Sequence, residues 1–72
     1  MDFTKEETTA ITLIKCWCKI AAESNSRVAT KAFTKDWEKL QYHFIDRLGI
    51  LGGRVAINEA EKIIEDYIKT LS

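Results

Sequence analysis

A 72-residue chain that is 46% apolar and 31% charged has the composition of a folded domain exposed to water, which argues against intrinsic disorder. Eleven basic side chains balance eleven acidic ones, so there is no whole-molecule electrostatic case for nucleic acid or an anionic membrane as partner. One helical domain, 1–72, accounts for this length; it buries only about 60% of its unfolded surface and leaves little room for an enclosed ligand pocket of about 300 Å³.

Cys16 and Cys18 are the only cysteines, where a secreted domain of this size carries two or more bridges. The first residues, Asp2, Phe3, Thr4, Lys5, Glu6 and Glu7, are acidic and polar where a signal peptide needs a basic run and then an apolar one. The longest uncharged run, 8–14, is far short of the ~18 residues of a transmembrane helix. The expectation is a cytoplasmic protein that does not enter a membrane.

Thr4 and Glu7 have the spacing of a capping box and open a first helix over about 4–23. Its apolar residues between Ala10 and Ala22 sweep roughly 240° of a helical wheel. A surface helix needs a stripe of only about 100°. This helix is therefore expected to meet neighbours on two or three sides. Ser24, Asn25 and Ser26 supply a turn and the next N-cap.

A second helix is expected over 27–48, with Ala29, Phe33, Trp37, Leu40, Phe44 and Leu48 at steps of three or four residues. It breaks near Thr34 if that residue caps a restart at Lys35. Gly49 suits a helix C-terminus with Ile50 in apolar contact, and Gly49, Ile50, Leu51, Gly52 and Gly53 read as a linker. The stretch 54–57 is either extended or a loose turn. Asn58 and Glu61 have capping spacing and begin a third helix over 58–71, whose stripe of Ala60, Ile63, Ile64, Tyr67, Ile68 and Leu71 is about 140° wide. The expected fold is all-α, a small three-helix bundle.

No enzymatic constellation is assembled. Cys16 and Cys18 lie about 200° apart on a helix and cannot chelate one metal without unwinding it, so they read as small apolar residues. His43 has Lys39, Asp46 and Arg47 within one turn, but no substrate cavity is implied, and it reads as a solvated surface residue. Asp36 projects in a similar direction roughly 10 Å away, too far to pair with it. Gly52-Gly53-Arg54 lacks the strand and spacing of a phosphate-binding loop. No cofactor and no metal is expected.

Two surfaces remain as partner-binding candidates. Arg27, Lys31, Lys35 and Lys39 stand at four-residue steps opposite Phe33, Trp37 and Phe44, with Tyr42 and Ile45 on or beside this basic face. That mixture suits a protein interface, and the basic row could also lie on nucleic-acid phosphates. Glu38 and Asp46 dilute its field. On the first helix, Leu13, Cys16 and Ile20 form a surplus apolar edge that is covered either by the 50–57 segment or by another molecule. Glu59, Glu61, Glu65 and Asp66 against Lys62 and Lys69 make the last helix a poor DNA-recognition element. The expected function is a non-enzymatic protein-interaction module, an adaptor, inhibitor or regulator whose partner is a larger protein or a second copy of itself. DNA binding through the basic face is the alternative.

Overall fold

The computed structural model describes residues 2–71. They form two helices, α1 over Lys5–Ser24 and α2 over Arg27–Leu71. The opening of α1 follows its sequence. The Glu7 amide donates to Thr4 Oγ1 at 3.1 Å, and the Thr4 amide donates to Glu7 Oε1 at 2.9 Å, so each side chain satisfies a backbone donor that the first helical turn leaves free. Asn25 closes α1 in the left-handed region, φ 50° and ψ 43°, a conformation that asparagine tolerates better than most side chains. Ser26 then caps α2, its Oγ accepting from the Ala29 amide at 3.2 Å.

From there the architecture departs from a three-helix bundle. α2 is a single 45-residue helical element with one non-helical residue, Gly49, at φ 78° and ψ 177°. A straight helix of that length would span about 68 Å, whereas the longest dimension of the molecule is 36 Å. Gly49 therefore folds α2 back on itself into two limbs, 27–48 and 50–71. The residues expected to form a linker, 50–57, are helical, and Asn58 is an exposed residue within the helix rather than its cap. Thr34 does not break the first limb; its hydroxyl donates back to the Thr30 carbonyl at 3.0 Å. Gly49 does take the positive φ expected of it, but Ile50 stays exposed and makes no sealing apolar contact.

The reason lies in what Gly52 and Gly53 do. A Cβ on Gly53 would fall 2.7 Å from the Ile45 Cα, and one on Gly52 would lie 3.1 Å from the Leu48 Cβ. These glycines are contact points between the limbs, not joints. Gly53, Ala56 and Ala60 are all buried and make a stripe of small residues along the second limb. Phe44 on the first limb is fully buried in the same core as Ala56, Ala60, Ile11, Ile14, Leu40 and Ile64. The Phe3 ring packs on it with centroids 5.6 Å apart.

α1 buries Glu7, Ile11 and Ile14 and touches both limbs. Trp17 Nε1 donates to Asp36 Oδ2 of the first limb at 2.9 Å, and the Lys15 ammonium lies 5.5 Å from the ring centre of Tyr67 on the second. Its third edge is bare. Leu13, Cys16 and Ile20 are exposed, so the 50–57 segment does not cover them.

Candidate functional site

The only buried charged residue among those described is Glu7. Its burial follows from phase, since Glu7, Ile11, Ile14, Cys18 and Ala21 succeed one another at steps of four and three residues along the packed face of α1. An isolated carboxylate there would be costly, but Glu7 is saturated. Oε1 accepts from the Thr4 amide and from an Arg47 terminal amino group at 2.7 Å. Oε2 accepts from Arg47 Nε and from His43 Nε2 at 2.7 Å. Because a carboxylate can only accept, His43 Nε2 carries the proton.

Burial pushes the Glu7 carboxyl up, but the hydrogen bonds from Arg47, the Thr4 backbone and His43, together with the charge of Arg47, outweigh it and hold the carboxyl down to about 2. The Glu7 hydrogen bond in turn raises the Arg47 guanidinium above its usual value. A carboxylate this acidic with all its acceptor directions occupied has no capacity for proton transfer. It is a clamp that pins the start of α1 to the end of the first limb, two residues before the fold-back. His43, read from sequence as a solvated residue, is half-exposed and is part of that clamp. The missed signal was a carboxylate in phase with an apolar stripe, matched by His43 and Arg47 four residues apart.

Beside the clamp two grooves meet. The first, about 240 Å³, runs between α1 and the first limb and is lined by Glu6, Glu7, Ala10, Leu13, Asp36, Lys39, Leu40 and His43. The second, more open, is lined by Lys39, Tyr42, His43, Ile45 and Asp46. Lys39 and His43 belong to both, which makes one continuous surface. Four of the candidate residues, Leu13, Lys39, Tyr42 and Ile45, are thereby brought together. Leu13 is 47% exposed on one side and Tyr42 66% on the other. Ile45 is half-buried because its other contact is the close approach to Gly53.

Lys31 and Lys35 continue the row from Lys39 on the exposed side of the first limb and line neither groove. Cys16 and Ile20 are exposed on α1 and also lie outside both. Cys18 turns instead toward a third, almost wholly apolar groove of about 310 Å³ at the Asn25 end, between Ala21, Ala22, Phe33, Ile68 and Leu71. Burial there pushes the Cys18 thiol up, which makes it less reactive. Ile50 and Leu51, in the segment that is one of the two possible covers for the α1 edge, are exposed at the fold-back, Leu51 to 83%.

Among the described residues, no three His, Cys, Asp or Glu side chains converge on a metal-sized site, and no helix is long and apolar enough to cross a membrane. Comparison of the chain with protein-family models, with curated proteins and with solved structures gives no match.

Proposed function

We propose that this chain is a small, non-enzymatic protein-interaction module, an adaptor, inhibitor or regulator that meets its partner through the continuous surface running from Leu13 across Lys39 to Tyr42 and Ile45. The observation that carries this reading is that a tyrosine and a leucine stand exposed on opposite sides of connected grooves, and the 50–57 segment, helical in the returning limb, does not cover the leucine. Tyrosine is enriched at interface centres, and the lysine row beside it has the charge of a polar rim. The clamp supports the same reading, because Glu7, His43 and Arg47 fix the relation of α1 to the first limb, and a preorganised surface loses less entropy on binding.

The test is affinity capture from the source cell with the unaltered chain and with Leu13→Glu and Tyr42→Ala, both at exposed positions, their folding verified by circular dichroism. A partner held by the unaltered chain and lost with either variant is the expected result. Partners captured equally by all three proteins would place the interface elsewhere. Self-association is checked by sedimentation: a dimer that Leu13→Glu converts to monomer identifies the partner as a second copy. DNA binding is a second reading, favoured by the four-residue spacing of Lys31, Lys35 and Lys39. It requires duplex affinity that falls steeply with salt, and no duplex binding at low salt removes it.

A further inference from the structure

We infer that the partner segment is an acidic amphipathic helix, seated with its apolar stripe in the groove beside Leu13 and its carboxylates along Lys31, Lys35 and Lys39. This rests on the interaction surface proposed above and names its ligand. Three observations converge. The lysines follow one another on the exposed side of the first limb at steps of about 6 Å along the helix axis, and among the described residues none of them makes an ion pair. Where the row reaches Lys39 it borders a groove with Ala10, Leu13 and Leu40 as its apolar lining. Tyr42 closes the end of the row beyond Lys39.

A helix laid in a groove presents apolar anchors on one face and charge on the neighbouring one at the same three- and four-residue steps, so both features are met in one register. Of the carboxylates around the grooves, Asp36 is engaged by the Trp17 indole and Glu7 is consumed by the clamp. Glu6 on the α1 wall and Asp46 beside Tyr42 are exposed, so the acidic face of the ligand is confined to the side of Lys31, Lys35 and Lys39. A nucleic acid would use the lysines and leave the apolar groove and Leu13 without a role. A groove of about 240 Å³ accommodates one or two aliphatic side chains, a modest anchor that the charge row supplements in rate and specificity.

The probe is a synthetic helix of about 20 residues, long enough to be helical in water, carrying glutamates at four-residue steps beside a leucine stripe. A control peptide has the same composition with the stripe scrambled, and a random duplex DNA is the third ligand. Binding is read by fluorescence anisotropy at physiological salt. The patterned helix is expected to bind, and the scrambled one about tenfold more weakly or worse. Lys35→Glu/Lys39→Glu and, separately, Tyr42→Ala should each weaken the patterned helix by about tenfold or more. Both variants sit at exposed positions, and circular dichroism verifies their folding.

Equal binding of the two peptides, tighter binding of the duplex, or no binding of the patterned helix each overturns the inference. Its failure is separable from that of the general reading. A cellular partner that is lost with Leu13→Glu and Tyr42→Ala but survives Lys35→Glu/Lys39→Glu removes the acidic helix and leaves the interaction surface standing.

Discussion

The two ends of this molecule are held together by different physics. At the fold-back end, α1 is fastened by directional polar bonds, from Thr4, His43 and Arg47 onto the Glu7 carboxylate, over a core centred on the fully buried Phe44. Toward the Asn25 end no charged residue is buried among those described, and the polar tie is the single part-buried hydrogen bond from Trp17 to Asp36. Phe33, Cys18 and Ala21 surround an apolar groove that is still partly open. Polar bonds of fixed geometry select a single arrangement, whereas loosely filled apolar contacts tolerate several. The contrast places both rigidity and the candidate surface at the same end, because His43 belongs at once to the clamp and to the grooves beside it.

The largest expected effect follows from that asymmetry. Phe44→Ala should cost about 3–5 kcal/mol, comparable with the whole stability of a domain this small. Phe33→Ala, bordering a groove that is already open, should cost about half as much or less, since little new cavity is created. Urea unfolding of both variants measures the difference. Equal losses would mean that the Asn25 end is as tightly packed as the fold-back end, and the contrast between them would disappear.

The clamp comes next. Glu7→Gln leaves Arg47 without its counter-charge, and stability should be lost at neutral pH, by less than Phe44→Ala loses. The loss is somewhat below the cost of breaking a fully buried pair, because Arg47 is one-third exposed. The pH dependence has a definite sign. In the unfolded chain the carboxyl titrates near 4.5, and in the folded protein it is held at about 2. The stabilisation is therefore complete above about 4.5. It declines as the pH falls toward 2, where the unfolded chain takes up a proton that the folded one refuses. The unaltered protein and Glu7→Gln should converge in stability across that window. A gap that stays constant between pH 6 and pH 3 would show that the carboxylate's charge is not what the clamp uses.

These residues also show how far the sequence could be read. Thr4 and Glu7, Asn25 and Ser26, and the stripe from Ala29 to Leu48 behave as their local chemistry dictates, because caps and periodicity act over a few residues. The all-helical class was legible for that reason. The burial of Glu7 was present in the pattern as a carboxylate in phase with Ile11 and Ile14, but its partners lie 36 and 40 positions away, and no local rule connects them. The glycines failed for a different reason. Glycine serves both where the backbone must turn and where two backbones must touch, and the two uses look alike in sequence. Gly49 is the first kind and Gly53 the second. Taking all three as one linker made a separate third helix out of what is the returning limb of α2. Of the candidate surface, Leu13, Lys39, Tyr42 and Ile45 were visible as unabsorbed residues, but their adjacency required the packing of α1 against the first limb.

The distinction between the glycines is itself open to measurement. Alanine in place of glycine inside a helix ordinarily stabilises by about 0.5–1 kcal/mol through lower backbone entropy in the unfolded chain. At Gly53 the added methyl would meet backbone, the Ile45 Cα at 2.7 Å, and backbone cannot rotate out of the way. Gly53→Ala should therefore force the limbs apart at a net cost of about 1–3 kcal/mol. At Gly52 the nearest atom is the Leu48 Cβ at 3.1 Å, where a shift of a few tenths of an ångström suffices, so the entropic gain and the crowding nearly cancel. Thermal unfolding of the pair should show a clear loss for Gly53→Ala and almost none for Gly52→Ala. If both variants instead gained stability, 50–57 would be an ordinary helical stretch without a close crossing, and the return of α2 at Gly49 would have to be held by Phe44 and the clamp alone.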